Sequence, residues 1–358
     1  MLAPELTRPD VRVVSGQAAL ASLPEWTRFW QSLPPGPIGA DPRWLAVLAE
    51  GLGHLPYAVE ARIEGELAGL LPLALVRGPL FGRFLVSLPF VSSCGVLSED
   101  SQLAEPLVER AIELADELRV KHLELRHSSP LEHPALTPSA ASKVLMQRSL
   151  PDTAQRLWKD LDSKVRNQVR KGEKQSFVVE WGREDLLASF YAIFSRNMRD
   201  LGTPVFGRRM FLAILKHFSP AAEFCVVHLN SQPVAAALLV HGRGITKVPC
   251  ASTLRQFNAT NANMFLYWQL LQRAIERGSA TFDFGRSTVG SGTERFKAQW
   301  GADAAPAVWQ CYYRYYRRRC KADLRKESPL FATLTRAWRY LPLRVAEFVG
   351  PAIVCGIP

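Results

Sequence analysis

The sequence lacks the motifs that mark several common enzyme classes. It contains no H-E-x-x-H, and neither its histidines nor its cysteines show metal-ligand spacing, so we expect no metal site. It contains no G-x-S-x-G, which argues against a serine hydrolase with a nucleophile elbow. In the glycine-rich stretch 285–292, Ser291 stands where a phosphate loop needs lysine, and the third glycine of a Rossmann fingerprint is missing. The sequence therefore favours a site that positions its substrates and acts through backbone hydrogen-bond donors and a few polar side chains.

Long apolar runs and closely spaced cysteines are also missing. The apolar stretch 70–76 is short, and the stretch 349–358 is broken by glycine and proline, so both fall short of the ~20 residues that a membrane-spanning helix needs. The first residues show no signal-peptide pattern. The six cysteines include no C-x-x-C pair, and several lie in apolar runs, which is typical of reduced core residues. These features predict a cytoplasmic protein.

Acidic residues are scarce relative to basic ones. The 33 Asp and Glu residues face 44 Lys and Arg residues, which gives a formal net charge of +11. A surface of this charge attracts polyanions such as a phosphorylated cosubstrate, tRNA or an acidic membrane leaflet. The hydrophobic fraction of 47% is typical of a folded globular protein. A length of 358 residues favours two domains, each with its own core.

The order of predicted elements occurs twice along the chain. In each half a strand, helices, antiparallel strands, a helix and a further strand follow one another. We therefore predict an α+β protein with two similar domains, each a mixed, mostly antiparallel sheet flanked by helices. The predicted limits are 1–150 and 151–327, followed by an amphipathic C-terminal tail at 328–358. In this division a strand at 144–148 closes the first domain, and a strand at 307–316 closes the second.

The stretch 281–301 carries the strongest functional signal. Apolar residues alternate with Asp283 in a predicted strand that stops at Gly285, and a polar loop then leads into a short helix that Thr293 would cap. A strand end followed by a loop and a helix start is a frequent location for catalytic groups. The candidate site residues of this stretch are Asp283, Gly285, Arg286, Ser287, Phe296 and Lys297.

The main candidates each have a structural and a catalytic interpretation. Asp283 either pairs with Arg286 or a loop amide, or removes a proton as a general base. Arg286 and Lys297 are either solvated surface cations or bind an anion or a developing oxyanion. Phe296 is either a core contact of the short helix or a wall of an acyl pocket.

A predicted helix at 162–174 concentrates positive charge. Val165 and Val169 form its apolar stripe. The stripe is surrounded by Lys164, Arg166, Arg170, Lys171 and Lys174. These cations repel one another at i, i+4 spacing, so a bound polyanion would relieve the repulsion. The helix is therefore either a solvated face or a binding site for an anionic substrate.

Two further segments hold candidate substrate-binding residues. The segment 255–265 runs from a strand into a helix start and contains Asn258, Asn261 and Asn263, near backbone amides that could meet a phosphate or carboxylate. Helix capping explains one of these asparagines but not all three. Arg199 lies just before a predicted helix end and is either part of that helix end or a substrate-binding residue.

Three motifs in the second half of the chain resemble those of the FemAB-related acyltransferases. They are K-x-R-N-Q-V-R-K-x-E at 164–173, M-R-x-L-G-T-P at 198–204, and F-D-F-G-R-S followed by F-K-x-x-W-G within 282–301. Together they are most similar to the FemAB-like proteins associated with exopolysaccharide and PEP-CTERM/exosortase loci. The resemblance implies two tandem GNAT folds, which agrees with the doubled order of elements.

The resemblance also implies a function. Members of the family move an acyl or aminoacyl group from acyl-CoA or aminoacyl-tRNA to an amine-bearing saccharide or peptide, in peptidoglycan, exopolysaccharide or other cell-envelope synthesis, without a tightly bound cofactor. Phe296 and Lys297 match the Phe-Lys pair at the reaction centre of bridge-forming relatives, which implies that Lys297 stabilises charge on the attacked carbonyl. The sequence shows neither the R-x-x-G-x-G motif of CoA-dependent GNAT enzymes nor the coiled-coil arm of some tRNA-dependent members, so both donors stay open. The alternative is a degenerate, non-catalytic GNAT pair that binds a glycolipid or a partner protein.

The C-terminal tail combines aromatic and basic residues. Tyrosines at 312–316 lead into six cations between 317 and 326 and then into an amphipathic segment at 330–349. Aromatic residues and cations both favour the interface of an anionic membrane. The tail is therefore predicted either to dock on the second domain or to contact the cytoplasmic face of the inner membrane.

Overall fold

The computed structural model describes residues 9–78, 81–127, 129–139, 143–314 and 329–357. The strands are β1 (Asp10–Ser15), β2 (Leu55–Ile63), β3 (Glu66–Gly78), β4 (Gly82–Val86), β5 (His122–His127), β6 (Thr137–Pro138), β7 (Lys143–Ser149), β8 (Phe177–Gly182), β9 (Ala222–Leu229), β10 (Gln232–Gly242), β11 (Ile245–Thr253), β12 (Thr281–Thr288), β13 (Asp303–Pro306) and β14 (Val308–Tyr313). The α-helices are α1 (Gly16–Ala21), α2 (Leu23–Ser32), α3 (Trp44–Leu52), α4 (Ala104–Glu117), α5 (Ala154–Asp160), α6 (Ser163–Glu173), α7 (Leu187–Leu201), α8 (Arg208–His217), α9 (Ala262–Glu276), α10 (Gly292–Ala298), α11 (Pro329–Trp338) and α12 (Leu343–Val354).

The strands form two sheets of the same design. The first has the strand order β1-β2-β3-β4-β5-β14-β6, and the second has the order β13-β7-β12-β11-β10-β9-β8. In both sheets, successive strands pair antiparallel until the last pair of the series, β4 with β5 and β11 with β12, which is parallel. The prediction of two mostly antiparallel sheets flanked by helices is confirmed.

Each sheet takes its next strand from the other half of the chain. β14 pairs with β5 in the first sheet, and β7 pairs with β12 in the second. The first unit therefore holds the described residues up to 139 together with 308–314 and 355–357, and the second holds 143–307 and 329–354.

This division corrects the predicted limits of 1–150 and 151–327. β7 was expected to close the first domain and β14 the second, but each strand covers an otherwise exposed edge in the other unit. The alternation of apolar and polar side chains predicted that both segments are strands, because successive side chains of a strand point to opposite faces of the sheet. It carries no information on which sheet edge a strand will join.

The second unit packs helices on both faces of its sheet. On one face, α5, α6 and α9 share a core with inward-facing residues of β7, β10, β11 and β12, and Phe282 and Trp300 are fully buried in it. On the other face, α7 and α8 contribute a cluster of stacked and edge-on aromatic rings around Phe190, which lies 4.3 Å between centroids from Phe224 of β9. The strands that carry the candidate site are thus held from both sides.

A glycine lets the basic helix α6 approach α9 closely. Gly172 is buried in the last turn of α6, and a Cβ atom placed there would lie 2.9 Å from the Cβ of Phe265 and 3.3 Å from the carbonyl oxygen of Asn261. The last turn of α6 therefore touches the first turn of α9. This contact fixes the position of the exposed cations of α6 relative to the loop between β11 and α9.

The C-terminal helices are part of the second unit. α12 packs against α7, where Ser195 donates a hydrogen bond from Oγ to Oε1 of Glu347 at 2.7 Å, and Gly350 lies against Val205. The predicted tail is therefore docked on the second domain, while the cations at 317–326 lie outside the described residues. Among the residues that the structure describes, no helix has both the length and the apolar character needed to cross a membrane.

We predict that Gly172→Ala destabilises the second unit although alanine is the better helix former by about 1 kcal/mol. The added methyl group overlaps Phe265 and should lower the free energy of unfolding by about 1–3 kcal/mol. Gly292→Ala, in the first turn of α10 where a Cβ meets nothing within 4 Å, is the matched control. Urea unfolding followed by tryptophan fluorescence measures both, and equal midpoints for the two variants would contradict the close approach.

Candidate functional site

The two parallel strands of the second sheet separate part of the way along their length. Their pairing ends at Lys247 and Asp283, although β11 continues to Thr253 and β12 continues to Thr288. Beyond this point β11 stays bonded to β10, and β12 stays bonded to β7. The sheet therefore forks toward the carboxyl ends of its two parallel strands. We call this region the fork.

A β-bulge in β12 shapes one side of the fork. The register against β7 shifts between Asp283 and Gly285, and Gly285 has φ +72°, a conformation that residues with side chains rarely adopt. Oδ1 of Asp283 accepts a hydrogen bond from the N–H of Gly285 at 2.7 Å, which stabilises the bulge. The bulge turns the carbonyl oxygens of Gly285 and Arg286 toward α10.

Lys297 of α10 occupies the space beside this bulge. Its Nζ donates hydrogen bonds to the carbonyl oxygen of Arg286 at 2.8 Å and to that of Gly285 at 3.3 Å, and the residue is 9% exposed. The helix that carries it begins after Ser291, whose Oγ accepts a hydrogen bond from the N–H of Glu294 at 3.2 Å. The predicted cap, Thr293, is therefore wrong by two residues, because Thr293 bonds instead to the hydroxyl of Ser291.

Burial makes Lys297 an unusual lysine. Desolvation by burial lowers its pKa from 10.5 to about 8; the charge of Asp283 opposes this lowering, and the charges of Lys247 and Arg286 add to it. The ammonium form still predominates at neutral pH, but it can lose its proton a little above it. A buried lysine with a lowered pKa at a strand end is typical of a functional group.

Lys247 and Asp283 form a buried ion pair at the base of the fork. Nζ of Lys247 lies 2.6 Å from Oδ2 of Asp283, and both side chains are almost fully buried. The two residues face each other in the last position where β11 and β12 pair. Asp283 was predicted to bond to Arg286 or to a loop amide, and the structure places it on the amide of Gly285 and on Lys247. Both carboxylate oxygens are engaged in this arrangement, and a role of Asp283 as general base stays a prediction.

The equivalent region of the first unit is filled by its own chain. β4 and β5 pair up to Val86, but the N–H of Ser87 still bonds to the carbonyl of Glu124, and the N–H of Cys94 bonds to the carbonyl of Arg126. The guanidinium of Arg126 donates to the carbonyls of Leu88 and Val91. Arg126 also lies 4.3 Å from the ring of Trp309, so side chains occupy the space where the second unit forks.

Aromatic side chains line the helix side of the fork. Phe296 meets the ring of Tyr267 edge-on at 4.8 Å between centroids, and Tyr267 also stacks with Phe284 and Trp300. Phe296 is half-buried and packs against the core of the unit, which agrees with its interpretation as a core contact. Its position beside Lys297 leaves the role of a pocket wall as a prediction.

The cations of α6 remain mostly exposed. Lys164, Arg170 and Lys171 are exposed, and Arg166 is half-buried with a hydrogen bond to the carbonyl of Lys159 at 3.4 Å. Arg170 lies over the ring of Trp158 at 5.4 Å. The apolar stripe of the helix is buried, as predicted, together with Gly172, and the charged face is available to an anion.

A cleft of about 490 Å³ lies between the start of α6 and the end of α10. It is lined by Arg148, Asp160, Asp162, Lys164, Val165, Ala298, Gln299 and Gly301. Arg148 of β7 is 8% exposed, donates to the carbonyl of Trp300 and lies where a Cβ atom on Gly301 would be. Burial lowers the pKa of Arg148, while Asp160 and Asp303 oppose this effect. Lys164 is the predicted site residue in this lining.

The predicted substrate-binding residues of the asparagine-rich segment and Arg199 differ in their exposure and contacts. Asn258 is exposed, Asn261 precedes α9 with φ +58°, and Oδ1 of Asn263 accepts a hydrogen bond from Thr253 at 3.2 Å. The side chain of Asn261 does not cap α9 within the part of the chain that the structure describes, and the first amides of the helix point out of its N-terminus. Arg199 instead bonds to Asp200 and to the carbonyl of Leu341, and so joins α7 to the C-terminal segment.

Sequence reasoning missed Lys247 and Arg148. Lys247 lies in an apolar strand, and a lysine within such a run is the available signal, because a buried charge requires a partner. Arg148 lies in β7, and it lines the cleft only because β7 joins the second sheet, which the sequence did not predict. Ser287 was predicted, and its Oγ is buried without a hydrogen-bond partner among the described residues.

Residues 159–298 match the family model described as an acetyltransferase (GNAT) domain. No curated protein matches the sequence. The match covers α6 to α10, and therefore contains the fork, the bulge and Lys297.

Solved structures share the fold over most of the chain. They include FemX, at 14% identity and a TM-score of 0.65, covering 81% of this chain and 96% of that chain. The C-terminal domain of a putative lysylphosphatidylglycerol synthetase from Agrobacterium fabrum follows at 13% identity and a TM-score of 0.58, covering 86% and 95%. A tandem GNAT protein from the clavulanic acid biosynthesis pathway has 10% identity and a TM-score of 0.53, covering 85% and 98%. The predicted resemblance is confirmed for the GNAT domain and for the tandem fold, and the link to exosortase systems stays a prediction.

We predict that the two members of the buried pair are energetically coupled, so that removing both costs the second unit less stability than the two single removals added together. Lys247→Ala leaves the carboxylate of Asp283 buried without its cation and should lower the free energy of unfolding by about 3–5 kcal/mol. The double variant Lys247→Ala/Asp283→Ala removes both charges and should be less destabilised than the sum of the single variants. Urea unfolding of the wild type, both single variants and the double variant measures this coupling. Additive effects would contradict a buried, interacting pair.

Proposed function

We propose that the second unit transfers an acyl or aminoacyl group from an activated donor to an amine of a cell-envelope precursor. The observation that carries this proposal is the fork between β11 and β12, with the buried ammonium of Lys297 beside it, inside a segment that matches the GNAT model. The filled counterpart in the first unit supports one transfer site in the chain.

In the proposed reaction the acceptor amine attacks the carbonyl carbon of the donor. The carbonyl oxygen gains negative charge as the bond to nitrogen forms, and the ammonium of Lys297 stabilises that charge. Collapse of the intermediate breaks the bond to the sulfur of CoA or to the ribose oxygen of tRNA, and the proton that the amine loses passes to that leaving atom or to solvent. Asp283 and Lys247 hold the bulge that positions Lys297, and Arg286 adds positive charge at the same strand end.

The donor is proposed to be either aminoacyl-tRNA or acyl-CoA. Both carry phosphates, and the exposed cations Arg170 and Lys171 lie on α6, whose last turn touches the start of α9 next to Asn261. The similarity of the fold to FemX and to a lysylphosphatidylglycerol synthetase domain favours aminoacyl transfer. The acceptor is proposed to be an amine-bearing peptide or saccharide at the cytoplasmic face of the envelope, and the sequence motifs favour an exopolysaccharide system.

We predict that one donor class stabilises the folded protein. A ligand that binds only the folded state raises the free energy of unfolding by about 2.7 kcal/mol at a hundredfold excess over its Kd. Thermal unfolding is measured with aminoacyl-tRNA, with acyl-CoA and with neither. Arg170→Ala/Lys171→Ala should reduce the shift produced by the true donor, whereas Arg209→Ala, on α8, should not.

If Arg170→Ala/Lys171→Ala keeps the full thermal shift, as Arg209→Ala should, then α6 is not part of the donor site. If neither aminoacyl-tRNA nor acyl-CoA raises the melting temperature, the result would favour the rival function, a non-catalytic GNAT pair that binds a glycolipid or a partner protein.

We predict that Lys297→Ala lowers kcat by about 10²–10³, because it removes one charged donor from the developing oxyanion. In the wild type the ammonium is lost as the pH rises through about 8, so kcat should fall above that pH. Lys297→Arg keeps its charge throughout this range, so whatever activity it retains should lack this decline. Transfer of a labelled acyl group is measured from pH 6 to about 10.

The exposed Lys216→Ala on α8 is the control for loss of a lysine elsewhere, and circular dichroism verifies that each variant is folded. Full activity of Lys297→Ala would overturn the role of Lys297 while leaving the transfer function intact. Absence of turnover by the wild type with either donor would count against the transfer function itself.

A further inference from the structure

The last helix of the chain is apolar on two opposite faces. At about 100° per residue, Ala346, Gly350 and Val354 form one stripe of α12, and all three are buried. Phe348 lies on the opposite side of the helix and is 85% exposed, with Val345 and Val349 also exposed. A docked surface helix ordinarily turns polar residues outward. α12 instead presents its largest apolar side chain to the outside.

The preceding helix and the turn after it extend this apolar surface. Leu334 of α11 is 59% exposed, and Tyr340, in the turn between α11 and α12, is 83% exposed. Half of the large exposed hydrophobic residues of the described chain fall between 334 and 349. We call Leu334, Tyr340, Val345, Phe348 and Val349 the C-terminal patch.

The outward-facing charges of the segment 333–354 have one sign. Arg336, Arg339 and Arg344 are exposed in the same two helices and their turn. The acidic residue of this segment, Glu347, faces inward and is bonded to Ser195 of α7. In the sequence immediately before α11, residues 317–328 hold six cations and two acidic residues. Protruding aromatic and aliphatic side chains among arginines, without an outward carboxylate, match the chemistry of an anionic bilayer surface.

We propose that the C-terminal patch inserts into the headgroup region of an anionic phospholipid membrane, with the arginines on the lipid phosphates. α12 stays docked on α7 through its buried stripe, and Phe348 and Tyr340 enter the interface. The charge pattern favours a bilayer over a protein partner, because the apolar side chains protrude singly among the cations. The proposal goes beyond group transfer and does not depend on it.

Sedimentation with lipid vesicles tests the proposal on the full chain. The wild type should bind vesicles of phosphatidylglycerol mixed with phosphatidylcholine, should bind phosphatidylcholine vesicles much more weakly, and should be released by high salt. Phe348→Ser should weaken binding about tenfold. Arg336→Gln and Arg344→Gln should each weaken binding about fivefold. Because all three side chains are exposed, the variants should keep the melting temperature of the wild type.

The matched control is Val178→Ser, which alters an exposed apolar residue of β8 and should leave vesicle binding unchanged. Failure of the wild type to sediment with the anionic vesicles overturns the proposal. A concentration-dependent dimer that Phe348→Ser abolishes, without vesicle binding, also overturns it and assigns the patch to contact between two copies of the chain. Transfer activity on soluble substrates should be the same in Phe348→Ser and the wild type, so this test and the test of the proposed function can fail separately.

Discussion

The ion pair between Lys247 and Asp283 joins two strands at the last position where they pair, and the geometry beyond that position depends on it. Asp283 divides its two oxygens between the strand opposite and its own strand, since one accepts from Lys247 and the other from the amide of Gly285. The first contact holds β11 to β12, and the second stabilises the bulge that aims two carbonyl oxygens at Lys297. A buried pair with no second task is often replaceable by apolar residues at little cost. Here one carboxylate sets both the width of the fork and the direction of its polar groups.

The duplicated design makes the fork recognisable as a special feature. Both sheets contain one parallel pair at the same place in the strand order, so both could in principle separate there. In the first unit the chain after β4 stays bonded to β5, and the guanidinium of Arg126 links the carbonyls of Leu88 and Val91 beneath the ring of Trp309. In the second unit, the bulge at Gly285 and the side chain of Lys297 lie where the first unit has these contacts of Arg126. The same topology therefore serves as support in one half and as the candidate site in the other.

Much of this arrangement could be predicted from the sequence, because local patterns report local structure. Alternating residues around Asp283 predicted a strand, and the cations around Val165 and Val169 predicted an amphipathic helix; both are present. The predicted strand end at Gly285 is wrong, because β12 passes through a bulge there and stays paired with β7 to Thr288. Two things could not be predicted. Which strand covers which edge depends on contacts between distant parts of the chain, as the exchange of β7 and β14 demonstrates. The partner of Asp283 lies 36 residues earlier, and a lysine in an apolar strand does not by itself reveal the carboxylate that neutralises it.

The electrostatics of the fork indicate why its lysine should be functional. Desolvation is the largest effect on the ammonium of Lys297 and disfavours it; Asp283 attracts this charge, and Lys247 and Arg286 repel it. Its hydrogen bonds go to backbone carbonyls, which offer partial charges in place of a counterion. A buried ammonium in this position is less stable than the same group in water. A transient negative charge nearby would offset this desolvation cost, and buried groups with shifted pKa values are frequent at functional sites. An oxyanion formed at the mouth of the fork would supply that charge only during the reaction. In the proposed reaction, the same burial that weakens the ground state would strengthen the interaction in the transition state, where the low dielectric increases the attraction.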